Sequence, residues 1–221
     1  MIELRNLTKV FRLDGRSKVV ADNINAVFPT GVAVGLLGRN GAGKSSLLKM
    51  IAGSLDPSSG QILSSGTISW PVGFAGSFHG DLTGAQNTRF LARIYGVDTD
   101  ELVAFVEEFA GLGTHFHLPF RTYSSGMRSR LAFGASMGIY FDTYLVDEIT
   151  AVGDQAFRTK SSEMFRDRLR NSGAVMVTHT MAQVRELCSA VAVLENGTLT
   201  YFDDVEQGIH FHHANMKRTP P

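Results

Sequence analysis

The sequence predicts an α/β fold, a strand-rich core interrupted by a mostly helical insert, in a chain of 221 residues. Three observations carry this expectation. Apolar runs of strand length recur at Val32–Leu37, Phe141–Val146 and Ala174–Thr178. Between 72 and 137 such runs give way to segments of helical period. The first run leads straight into Gly38–Ser46, which reads G-R-N-G-A-G-K-S-S, and Ser45–Ile51 continues with helical spacing.

In chain order, Ile2–Phe11 alternates loosely and reads as a strand, Leu13–Ser17 as a turn, and Val19–Phe28 as a second strand closed by Pro29 and Gly31. The glycine-rich loop and its helix end near Ala52-Gly53. A turn at Asp56–Gly60 precedes short strands at Gln61–Leu63 and Thr67–Trp70. The segment from Val72 to Gly84 is rich in Gly and Phe and has no clear period. Thr83 and Gln86 are spaced as a capping box for a helix to Tyr95, which Gly96 stops. Asp98 caps a second helix whose Leu102, Phe105, Val106 and Phe109 share one face, and Ser124–Met137 forms a third. After the strand at Phe141–Val146, a helix over 155–169 is expected to bury Phe157, Met164, Phe165 and Leu169. Val191–Leu194 and Thr198–Phe202 form a hairpin across Glu195-Asn196-Gly197, and Asp203–Asn215 a terminal helix.

Gly38–Ser46 fits the phosphate-binding pattern G-x-x-x-x-G-K-[ST], with Gly38, Gly43, Lys44 and Ser45 at its fixed positions and Arg39, Asn40, Gly41 and Ala42 between them. Glycines let successive backbone N–H groups point inward at a phosphate chain, and the helix that follows, with Ser46 in its first turn, adds its dipole. Lys44 is placed to meet the β- and γ-phosphates and Ser45 to ligate Mg²⁺. Further on, Tyr144–Glu148 is an apolar strand ending in two acids. Asp147 is placed to hold the Mg²⁺, and Glu148 to polarise an attacking water as general base. The cofactors expected from these residues are therefore a nucleoside triphosphate and Mg²⁺, and the family resemblance given below makes the nucleotide ATP.

Composition bounds the function. Hydrophobic residues make up 43% and the formal net charge is zero, so a real core is expected and no basic excess argues for a nucleic-acid partner. No apolar run approaches the roughly 18 residues of a membrane helix. The N-terminus lacks the apolar stretch of a signal peptide. Cys188 is the single cysteine, which suits a reducing cytoplasm.

Tyr123-Ser124-Ser125-Gly126-Met127 opens a helix and resembles the L-S-G-G-Q signature of the ATP-binding-cassette (ABC) family, with Ser124 and Gly126 retained. From the residues alone, Ser124 is first an N-cap. His179 ends the strand Met176–Thr178 and resembles the family's switch histidine, which contacts the γ-phosphate. Asp154, in Ala151–Asp154, resembles its D-loop. Phe11 matches the aromatic residue that stacks on adenine, or else is a core aromatic. The resemblance implies a P-loop NTPase with a RecA-like core (1–71 and 138–205), an antiparallel β subdomain, an inserted helical subdomain (72–137) and a C-terminal tail (206–221). It also implies a head-to-tail homodimer in which Ser124, Ser125 and Gly126 of one subunit cover ATP held by the other. The family normally has a Gln before the helical insert. None stands in Val72–Gly76, and His79 is the nearest polar side chain of suitable type.

Ile68–Gly73, Phe78–Gly84, Thr122–Arg130 and Val146–Asp154 resemble the ATPase subunits of bacterial capsular polysaccharide exporters. That implies integral membrane permease subunits as partners, a larger capsule export assembly, and a peripheral position on the cytoplasmic face of the inner membrane. An O-antigen or teichoic acid exporter ATPase is the neighbouring reading. A soluble ABC ATPase and a small-molecule kinase are the readings from other classes. In the tail, His210 and His213 are spaced to face one ion, although a solvated helix explains them as well.

Overall fold

The computed structural model describes residues 1–13, 15–76, 78–147 and 154–217. The chain divides into two compact units, Met1–Pro71 with Phe141–Glu148 and Leu169–Pro221, and Val72–Tyr140 with Ile149–Arg168.

The first unit holds two sheets. β1 (Ile2–Leu13) pairs antiparallel with both β2 (Arg16–Phe28) and β4 (Ser59–Ser64). The larger sheet has the order β5-β6-β7-β3-β8-β9, made of β3 (Ala33–Leu37), β5 (Ile68–Pro71), β6 (Thr143–Asp147), β7 (Gly173–Val177), β8 (Ala190–Glu195) and β9 (Thr198–Phe202). All its neighbours run parallel except β8 and β9. Central parallel strands are covered on both faces, which is why β7 is buried at every residue and reads as an unbroken apolar run. Leu47, Leu48 and Ile51 of α1 (Lys44–Ile51) join Val34, Leu36, Leu145 and Val175 in the core, together with Ile2, Leu4 and Phe28 of the antiparallel sheet. The β8–β9 turn puts Asn196 and Gly197 at positive φ, as a two-residue hairpin requires. Its Gly197 carbonyl accepts from Asp22 N at 2.8 Å, tying the two sheets together.

This topology sets up the site. Parallel register places Leu36 beside Val177 and Val177 beside Asp147, so the carboxyl ends of β3, β7 and β6 reach one edge of the sheet.

Two further helices belong to this unit, α6 (Met181–Leu187) and α7 (Val205–Lys217). α6 is not anticipated by the sequence. Its seven residues have no side-chain N-cap, so no start signal marks it. α7 lies close on β8, because a Cβ at Gly208 would stand 2.6 Å from Val191 Cβ.

The second unit is helical. α2 (Gly84–Tyr95) starts at the expected capping box. Thr83 Oγ1 accepts from Gln86 N, and Gln86 Oε1 accepts from Thr83 N at 2.9 Å. α3 (Thr99–Ala110) is capped by Asp98. Two 3-10 turns, Gly113–His117 and Phe120–Thr122, lead to α4 (Ser125–Gly138). α5 (Gln155–Leu169) falls in the stretch expected to belong to the core. Its Phe157 lies edge-on to Phe109 of α3 at 5.5 Å, and Lys160 donates to the Phe109 carbonyl at 3.3 Å. α5 buries Phe157, Ser161 and Phe165, whereas Met164 and Leu169 are only half-buried.

Candidate functional site

A cavity of about 420 Å³ opens at the carboxyl edge of the parallel sheet, a volume suited to a small-molecule ligand. Asn40, Gly41, Gly43, Lys44, Ser45 and Ser46 line it from the loop between β3 and α1. Asp147 and His179 line it from the ends of β6 and β7, and Phe11 from β1.

The loop's shape depends on two glycines. Gly38 has φ 154, and a Cβ there would meet the Leu194 carbonyl oxygen at 2.3 Å. Gly43 has φ 109 and closes against Val20, with 2.7 Å from a built Cβ to that of Val20. No side chain fits either place. Lys44 opens α1 almost buried. Its ammonium donates to the carbonyls of Gly38 at 2.7 Å and Arg39 at 3.0 Å, which curls the loop around it. The result is a cationic group among inward-facing backbone at a helix N-terminus, an arrangement suited to phosphate.

Ser45 Oγ donates to Asp147 Oδ1 at 3.3 Å, across 102 positions of sequence. A hydroxyl and a carboxylate side by side form a hard-oxygen donor pair that fits a Mg²⁺ ion. His179 follows β7 on an exposed turn. Thr178 Oγ1, which accepts from Thr180 N and donates to Gln183 Oε1 at 2.7 Å, holds that turn. Phe11 is 40% exposed on the cavity wall, which sets it apart from the core aromatics, and the Lys9 ammonium lies 5.2 Å from its ring centre.

Not every expected residue lines the cavity. Gly38, Arg39 and Ala42 belong to the loop but do not line the cavity, and Glu148 lies outside the described residues. Lys18, Val20 and Val177 line the cavity without having been anticipated. Lys18 pairs with Phe11 across the β1–β2 ladder and stands over Gly41. Its signal in the sequence is faint, a basic residue in a strand, and gains meaning only through that pairing.

Ser124, Ser125, Gly126 and Asp154 belong to the second unit. Ser124 caps α4, its Oγ accepting from Met127 N at 3.3 Å, so the N-cap reading holds. Tyr123, where the signature has Leu, is a buried core residue whose hydroxyl donates to the His115 carbonyl at 2.7 Å. Gly126 sits in open space, since a Cβ there would approach nothing nearer than Ser124 Oγ at 4.0 Å. Asp154 accepts from Phe157 N at 2.9 Å and from Arg130 Nη2 at 2.8 Å. Those donors hold its carboxyl below the usual range, the backbone N–H first. His79 is fastened in a turn by the Asn87 side chain, which bonds both its N–H and its carbonyl.

Among the described residues no group of three His, Cys, Asp or Glu side chains could hold a metal ion, and no helix is long and apolar enough to cross a membrane.

Comparison with known proteins matches residues 21–151, more than half of the chain, to the family described as "ABC transporter". The chain is 47% identical over 212 residues to the Polysialic acid transport ATP-binding protein KpsT of Escherichia coli, covering 95% of each. It is 38% identical to the Capsule polysaccharide export ATP-binding protein CtrD of Neisseria meningitidis serogroup B, covering 97% of this chain and 99% of that one. A solved structure of the ATP-binding cassette MJ0796, dimeric and bound to ADP and Pi, superposes with a TM-score of 0.74 at 20% identity, covering 91% of this chain and 97% of that one, a likeness of fold.

Proposed function

The chain belongs to the ABC transporter family, and from that premise we propose that it is the ATP-binding and ATP-hydrolysing subunit of an exporter of capsular, lipid-linked polysaccharide. The observation that carries the nucleotide part is the convergence of Phe11, the Gly38–Ser46 loop, the Ser45–Asp147 pair and His179 on one cavity. The near full-length similarity to KpsT and CtrD supports the cargo class.

In this reading Phe11 stacks on the adenine and the loop amides with Lys44 bind the phosphates. Ser45 and Asp147 would hold Mg²⁺, which would supply neutralisation of the phosphate charge. Glu148 takes the proton of the attacking water, and His179 orients the γ-phosphate. Ser124, Ser125 and Gly126 act across a homodimer of cassettes on the partner's ATP, with Asp154 near that interface. The open space at Gly126 suits a close approach by phosphate. The helical insert at 72–137 faces separate permease subunits within a capsule export assembly, which holds the chain at the cytoplasmic face of the inner membrane.

The test is complementation. In capsulated cells lacking the chromosomal copy, the wild-type chain should restore surface polysaccharide, while Lys44→Ala should leave polymer inside the cell. Surface polysaccharide at the wild-type level with Lys44→Ala would refute the proposal.

A further inference from the structure

α7 meets the phosphate-binding loop near its C-terminal end. Arg39, the second residue of the loop, donates from Nη1 to the carbonyl of Met216 in the last turn of α7, at 3.3 Å. One turn earlier His212 points inward and is 8% exposed, with its Nδ1 shielded from solvent and lacking a hydrogen-bond partner. Burial first, and then His213, Lys44 and His179, hold this imidazole below the usual histidine range. The ring thus lies within electrostatic reach of both the loop lysine and the histidine that follows β7.

The buried face of α7 points to the same conclusion. Gly208 and Ile209 seat the helix on β8, as a covering helix requires. An apolar side chain at 212 would continue that cover. An imidazole with an unpaired buried nitrogen costs stability there, so packing alone does not account for it. Arg39 is meanwhile held at both ends, its carbonyl by Lys44 at 3.0 Å and its guanidinium by the end of α7.

We propose that α7 is a positioning strut for the nucleotide site, seated on β8 and holding the phosphate-binding loop in register through the Met216–Arg39 bond. The proposal rests on the nucleotide reading of the cavity. A loop held in its binding shape has less ordering to do when ligand arrives. Coupling is reciprocal, so nucleotide must in turn steady the end of α7.

Hydrogen exchange on the full chain tests this, with MgADP as the probe. In the wild type, MgADP should slow exchange of amides 212–217 about fivefold, alongside those of the loop. In Arg39→Gln, loop protection should persist at saturating MgADP while the effect on 212–217 disappears. His212→Phe keeps a planar ring, somewhat larger, and removes the ring nitrogens. It should raise the Kd for MgADP about fivefold without lowering the melting temperature. Loop protection without any change at 212–217 would overturn the strut and leave the nucleotide site standing. No protection of the loop at all would overturn the nucleotide reading itself. An unchanged Kd in folded His212→Phe would return His212 to core filling.

Discussion

Glu148→Gln separates binding from chemistry at the scale of one atom. The amide keeps the side chain's shape and cannot take a proton. Lys44, Ser45 and Asp147 are untouched, so MgATP should still bind. Loss of a general base costs about 10²–10⁴ in rate, or roughly 3–5 kcal/mol of barrier. The variant should accumulate as a dimer in MgATP and not in MgADP, read by light scattering after gel filtration. Turnover at the wild-type rate would remove Glu148 from the catalytic role. Phe11→Ala addresses the cavity wall. Because the ring is 40% exposed, its loss should leave the fold intact and weaken nucleotide binding by about 1–3 kcal/mol. Calorimetric titration showing wild-type affinity would take Phe11 out of the site.

At the scale of elements, α4 gives one residue an observed duty and a proposed one. Ser124 caps the helix in this structure, and the proposed function also places its hydroxyl on a partner's γ-phosphate. Asp is as good an N-cap as Ser but carries a negative charge. Ser124→Asp should therefore melt at the wild-type temperature and bind ATP as an isolated subunit, yet turn over at least about 100-fold more slowly, as expected for a lost transition-state contact. Unimpaired turnover would count against the two-subunit sandwich.

Elements also show what could be read from sequence. The phosphate loop, the Thr83–Gln86 capping box and the Gly96 stop were legible because each is local, a few residues whose chemistry is complete in themselves. Lys18 was not, since its place beside Gly41 depends on cross-strand pairing. Nor was the short α6, whose formation depends on packing Val184 and Cys188 against Gly35 of β3. Tyr123 read as a departure from a signature and proves to be an ordinary core residue with a satisfied hydroxyl.

Cys188 bears on the stability of the whole molecule. Burial pushes its thiol from 9.0 up to about 12. A folded-state pKa raised above the unfolded value contributes stability that is intact below pH 9 and lost as pH rises from 9 toward 12. The loss at pH 10 is on the order of 1 kcal/mol. Buried Tyr123 and half-buried Tyr201 act in the same direction, so the comparison needed is with Cys188→Ala, which keeps them. Urea unfolding at pH 7.5 and pH 10 should show the wild type losing more stability than the variant. Equal losses would mean that the thiol ionises freely in the native state.

The empty space around Gly126 has a consequence for selection. The glycine lies in the first turn of α4 with no neighbour for a methyl group to meet. Alanine there should make the isolated cassette more stable, by up to about 1 kcal/mol on helix propensity. If the position exists for a phosphate to approach, the same methyl group should slow turnover. A library screened for soluble, heat-resistant protein would therefore enrich Gly126→Ala, and one screened for polysaccharide on the cell surface would discard it. Sequencing both survivor pools would show whether this position serves the folding of one chain or the meeting of two.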